Sequence, residues 1–178
     1  MVEGKKKGNR AERKVSRKIS AWLRDGDLEA DDIDNPDLWL TKLSGGWKFR
    51  DTGDTGDLQP NSEIGAEFRS KYAVEVKHYE EIEWWEVFTR KEPDIVEWWD
   101  DHWEECQEFE LCPLLIMRAN YRPWLVGHPA DLFIPSQDIR QLTVEHRRVR
   151  FIEWDDWTRM TPDTAYDWYE QWREKRFG

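Results

Sequence analysis

Between Asn9 and Arg24 the apolar side chains fall at Val15, Ile19, Trp22 and Leu23. That spacing lays one stripe along a helix and leaves Lys14, Arg17, Lys18 and Arg24 mostly toward solvent. Asn9 is read as its N-cap, with Glu12 three residues on in the capping-box position. Residues 25–37 form an acidic, Gly- and Pro-containing loop. Leu38 to Leu43 is a short strand candidate, and Asp57-Leu58-Gln59 opens a second, closed by Pro60. Lys71 to Lys77 alternates as a third strand, with Tyr72, Val74 and Val76 on one face and Ala73, Glu75 and Lys77 on the other.

From Glu80 to Glu110 the period becomes helical, in two pieces broken near Pro93, with Val96, Trp99, Trp103 and Cys106 forming an apolar seam. Pro113 to Arg118 is a continuous apolar run and reads as a buried central strand, with Trp124-Leu125-Val126 as its hairpin partner. Arg148 to Trp154 adds an edge strand, and Pro162 to Arg176 a terminal helix capped by Thr161. Helices and strands in this order give an α/β or α+β domain with a small mixed sheet. The boundaries read are a flexible basic arm at 1–8, a core at 9–128 and an extension at 129–178 packed on the same domain.

Composition changes the picture twice. Charged residues make up 37% of the 178, which leans toward disorder, but 13 Trp, 7 Phe and 5 Tyr supply enough apolar surface for a core. The net charge of −11 argues against a polyanionic partner until its distribution is seen. Residues 1–24 carry nine basic side chains (Lys5, Lys6, Lys7, Arg10, Arg13, Lys14, Arg17, Lys18, Arg24) against Glu3 and Glu12. His146, Arg147, Arg148 and Arg150 form a second basic cluster, and nucleic acid responds to such patches rather than to the average. No run approaches the ~20 apolar residues of a membrane span. Cys106 and Cys112 lack metal-site spacing and are read as free core thiols, so an intracellular protein is expected.

The chemistry gathers at Asp57, at the start of one strand, and at Glu75 and Lys77, which share a face of the next. If those strands pair as a hairpin, two carboxylates and an amine converge. Two such acids repel, and one takes up a proton unless a divalent ion draws both into their charged forms. Mg2+ typically takes one or two carboxylates and leaves room for water and phosphate oxygens, the arrangement for metal-assisted phosphodiester hydrolysis.

Thr55-Gly56-Asp57-Leu58 followed by Val74-Glu75-Val76-Lys77 resembles the PD-(D/E)XK nuclease superfamily. With Gly8-Asn9-Arg10-Ala11-Glu12-Arg13 and Ser44-Gly45-Gly46 in the same order, the chain is similar to archaeal-type Holliday junction resolvases and related phage endonucleases over about residues 8–127. The resemblance implies a restriction-endonuclease-like core, to which the pattern along the chain adds an extra C-terminal strand and helix, and a Mg2+-dependent homodimeric endonuclease in which Mn2+ can substitute. It makes Asp57 and Glu75 metal ligands and Lys77 the catalytic lysine, and adds Glu12 to the metal shell. Ser44 would lie in a glycine-rich DNA-contacting loop. Lys5, Lys6, Lys7, Arg10, Arg13, Lys14, Arg17, Lys48 and Arg50 complete the expected DNA contacts, and four-way or other branched DNA is the expected substrate.

Several alternatives stay open. Glu12 is equally explained as a capping-box carboxylate, and Asp54 rivals Asp57 as a ligand. The substrate could be plain duplex or flap DNA, as for a nicking, restriction or recombination enzyme. A non-catalytic acidic DNA mimic is the third class, against which the basic amino terminus argues.

Overall fold

The computed structural model describes residues 2–24, 29–41, 55–81, 94–132, 141–144 and 148–178, with the side chains of all of these but 2–8, 141 and 142. The first helix, α1, runs Val2–Leu23, so the stretch read as an arm is helical and Asn9 lies inside the helix instead of capping it. Val15, Ile19, Trp22 and Leu23 are all buried, as their spacing requires, while Arg10, Arg13, Lys14 and Arg17 are exposed. A short 3-10 turn at Ala30–Asp32 leads to β1 (Leu38–Leu40), which pairs antiparallel with β2 (Leu58–Pro60).

Helix α2 (Glu63–Arg69) follows, where the pattern reading had none. Seven residues with one inward aromatic, Phe68, give too little periodicity to read, but the cap was visible: Ser62 Oγ accepts from the Gly65 N–H. Because α2 separates β2 from β3 (Tyr72–Tyr79), these strands are not the hairpin the sequence suggested. β3 instead pairs in parallel with β4 (Cys112–Ala119), reached through α3 (Asp94–Gln107). β4 turns back antiparallel into β5 (Leu125–Pro129), which pairs with β7 (Val149–Glu153), and β6 (Gln141–Val144) lies outside β7. The order β3-β4-β5-β7-β6 makes β7 interior, not the edge strand expected of it. A single turn, α4 (Trp154–Trp157), and helix α5 (Pro162–Phe177) complete the chain, with Thr161 Oγ1 accepting from the Thr164 N–H as the cap predicted.

β4 is buried on both faces, which is why it reads as an unbroken apolar run. Leu114 and Ile116 join the core beneath α1 and α5, whereas Leu115 and Met117 meet Ile95, Val96 and Trp99 of α3. Trp99 and Trp103 of the apolar seam are used inside the chain: Trp99 is 1% exposed and Trp103 packs against both clusters. α5 is tied down by the Tyr72 hydroxyl, which donates to the Ala165 carbonyl at 2.6 Å, and by the Tyr169 hydroxyl on the Glu110 carbonyl at 3.0 Å. Cys106 and Cys112 are buried free thiols. Among the described residues no helix is long and apolar enough to cross a membrane.

Candidate active site

The site is built on the edge of β3. Among the described residues β3 has a sheet neighbour on one side, β4, which leaves backbone groups of its other side open. Asp57 occupies them: its N–H donates to the Val74 carbonyl at 2.7 Å, and its Oδ2 accepts from the Val76 N–H at 2.8 Å. Asp57 therefore reaches Glu75 without a hairpin, by docking its own backbone and side chain across two successive outward-facing groups of β3.

The approach depends on Gly56. Its φ is +82°, and a Cβ there would stand 2.6 Å from the Val74 carbonyl oxygen. No other residue combines that backbone with that clearance. The turn is clamped from both directions: Thr55 Oγ1 donates to Glu105 on α3 at 3.2 Å, and the buried Arg69 of α2 donates to the Thr55 carbonyl. Thr41 holds the following segment, its N–H on the Asp57 carbonyl at 2.9 Å and its hydroxyl on the Gly56 carbonyl at 3.1 Å. Arg69 and Glu105 were not singled out from the sequence, because their role depends on three separate elements meeting at Thr55.

Glu75 and Lys77 lie two apart on the same face, as the alternation predicted, and Lys77 Nζ is 2.7 Å from Glu75 Oε1 with 25% and 13% of their side chains exposed. Burial alone would lower the Lys77 pKa, but the charge and hydrogen bond of Glu75, with Asp57 behind, hold it above its usual value. The ammonium also stands 5.8 Å from the centre of the Trp98 ring. The Asp57 pKa also rises, which here favours the neutral form. Burial first, then the Glu75 carboxylate, push it up to about 8 against the pull of the Val76 N–H.

Glu12 comes to the same place from α1. It is 7% exposed, its Oε2 has no hydrogen-bond partner among the described residues, and its pKa is raised by burial and then by Glu75. With the helix starting at Val2, capping no longer accounts for it. Ser44, Lys48, Arg50 and the rival Asp54 lie outside the described residues, as do Trp84, Trp85, His146, Arg147 and the side chains of Lys5, Lys6 and Lys7. His78 is half-buried with its ring 6.1 Å from Trp124, while His102 and His128 are interior, on the Ala73 and Pro129 carbonyls.

Three carboxyl groups thus influence one another across a partly buried corner, with one ammonium among them. Among the described residues no three His, Cys, Asp or Glu side chains form a ready metal cage. A hard divalent ion does not require one, since one or two carboxylates and water suffice. The donors are all oxygens, Glu12 Oε2 is an unsatisfied one, and the Asp57 pKa is raised by burial first and by the Glu75 carboxylate second. This donor set fits Mg2+.

The family model described as "Phage putative PDDEXK endonuclease" matches residues 3–167. The chain belongs to that family. It is a phage-type PD-(D/E)XK endonuclease by descent, and its mixed sheet flanked by helices is consistent with the core of that superfamily. The match begins within α1 and runs into α5, so it takes in all the elements that carry Asp57, Glu75, Lys77 and Glu12. No curated protein and no solved structure matches the chain.

Proposed function

We propose that this family member is a metal-dependent, structure-selective DNA endonuclease acting on branched DNA, with a four-way junction as the preferred substrate. The reading is supported most directly by the docking of Asp57 on the open edge of β3, beside Glu75 and Lys77. Asp57 and Glu75, joined by Glu12, would hold Mg2+, with Mn2+ as substitute. Such an ion supplies Lewis-acid polarisation of a phosphate and a lowered pKa for water.

The protein's own groups do the rest. Lys77, kept protonated by Glu75, orients the attacking water and stabilises negative charge growing on the phosphate oxygens. Exposed Arg10, Arg13, Lys14 and Arg17 on α1 meet the DNA backbone and set its position. Paired cuts across a junction require two sites, so the proposal includes a twofold dimer, measurable by sedimentation equilibrium.

The test is cleavage of a labelled four-way junction and its matched linear duplex with Mg2+, Mn2+ or EDTA, comparing wild type with Asp57→Asn and Glu75→Gln. Paired, metal-dependent nicks in the junction, lost in both variants, are expected. Cutting of both DNAs would remove junction selectivity and leave a nuclease for duplex or flap substrates. Failure of folded wild type to cut either would turn the reading toward a binding or DNA-mimic role.

A further inference from the structure

The turn joining β4 to β5 presents an aromatic side chain with no structural task. Tyr121 is 98% exposed, so its ring packs against nothing, and its φ is +60°. The Arg122 N–H donates to the Ala119 carbonyl at 3.2 Å, closing a four-residue turn in which Tyr121 holds the third position. In a turn with positive φ at that place, glycine or asparagine is the residue that fits without strain. A bulky residue held there, gaining no burial, is a local conflict of the kind found at binding surfaces.

The surroundings are basic and aromatic. Arg118 Nε donates to the Arg122 carbonyl at 2.7 Å, and its guanidinium lies 5.6 Å from the Trp124 ring centre. Arg122 itself is exposed. Arg118 alternates with Leu114 and Ile116, so it stands on the sheet face covered by α1. There its charge acts on Lys18, whose pKa is lowered first by burial and further by Lys14 and Arg118, against the opposing pull of Asp155 and Asp31. Lys18 in turn lies 5.5 Å from the Trp154 ring centre. Lys14, Lys18, Arg118 and Arg122 therefore extend the basic face of α1 to the tip of the turn. On its other side Glu80 and Glu81 border a cleft of about 600 Å³ with Asn120 and Arg122, which limits the basic strip to the α1 side.

We infer that this turn is a DNA contact in which Tyr121 stacks on a base freed from the helix at a branch, bulge or frayed end, while Arg118, Arg122 and Lys18 hold the flanking phosphates. The inference rests on the nuclease reading and names the feature of the substrate that it would select. Reach is adequate. Glu75 is in register with Leu115, and the six residues from Leu115 to Tyr121 span at most about 21 Å, or roughly six steps of duplex at ~3.4 Å each. A base on Tyr121 and a phosphate at Glu75 can thus belong to one DNA arm. Aromatic stacking is indifferent to base identity, so the selection is for unstacked structure and not for sequence.

The test is equilibrium binding in EDTA of a labelled four-way junction, a duplex with a three-nucleotide bulge and a continuous duplex of the same sequence. Wild type is compared with Tyr121→Gly and Tyr121→Phe. Tyr121→Gly is expected to weaken the junction and bulged probes by about tenfold, the loss of one stacked base. It should leave the continuous duplex within about twofold, while Tyr121→Phe keeps wild-type affinity. Glycine also relieves the positive φ, so the urea midpoint should stay level or rise, separating lost binding from lost fold.

Unchanged binding of the branched probes, or an equal loss on all three, overturns the inference. So does conversion of a wild-type dimer to a monomer by Tyr121→Gly, which would assign the turn to a contact between chains. Cleavage assays with Mg2+ on the same DNAs separate the two readings. Retained cleavage with unchanged binding by Tyr121→Gly removes the turn and spares the nuclease, whereas a wild type that binds none of the probes removes both.

Discussion

Replacing Asp57 by Asn should stabilise the protein in alkaline solution while abolishing cleavage. The Asp57 pKa rises from 3.8 to about 8 in the folded chain, through burial first and the Glu75 carboxylate second. Between those values the folded state holds a proton that the unfolded state has released, so stability falls as pH rises through this window. The contribution is complete below about pH 4 and lost above about pH 8. At about 1.4 kcal/mol per unit the cost of ionising Asp57 has a ceiling of about 6 kcal/mol. Partial solvent access and sharing of the proton with Glu75 reduce it to about 2–3 kcal/mol. Asparagine keeps an oxygen for the Val76 N–H and removes the charge. Urea unfolding in EDTA is therefore expected to find Asp57→Asn more stable than wild type by about 2–3 kcal/mol at pH 9 and within about 0.5 kcal/mol at pH 3.5. An equal difference at both pH values, or a less stable variant at pH 9, would refute the coupling of Asp57 to its acidic neighbours.

Gly56→Ala drives a methyl to 2.6 Å from the Val74 carbonyl at a φ of +82°. It should cost more than about 2 kcal/mol by urea midpoint and eliminate cleavage by lifting Asp57 from β3. Asp37 is 2% exposed and takes Arg24 Nε at 2.8 Å and the Ser62 hydroxyl at 2.7 Å. Asp37→Ala leaves both without their acceptor and should lower stability by about 2–3 kcal/mol in denaturant titration, with DNA affinity of the folded fraction unchanged. If exposed Lys14 and Arg17 meet phosphates, the double change to Gln should reduce the slope of log affinity against log salt by about 1.8 in anisotropy titrations. A slope that does not move places the DNA elsewhere.

Elements whose burial follows one face of one segment were legible. Val15, Ile19, Trp22 and Leu23 point inward because helical geometry leaves a stripe at that spacing no alternative. β3 alternates because one of its faces meets α1, and β4 is apolar throughout because it lies between two cores. Where stability comes from neighbours the pattern is silent. α2 stands on a single aromatic, a Ser62 cap and Asp37, and β7 became interior only because β6 pairs beside it. The start of α1 was misplaced because a lysine run carries no apolar period to distinguish helix from arm.

For the site, the types and spacing of Asp57, Glu75 and Lys77 already dictated paired acids beside an amine, since side chains two apart on a strand share a face. How Asp57 meets them is a tertiary matter. It needs the open edge of β3, the left-handed Gly56 and the Arg69 and Glu105 clamps on Thr55, which come from elements far apart in sequence. The same holds for the state of the acids: a carboxyl's pKa depends on what surrounds it in space. Local sequence determined which groups are present and which way each strand turns them. Only the packed chain decided that Asp57, Glu12 and Glu75 would share one poorly solvated corner, and so be driven toward proton or metal.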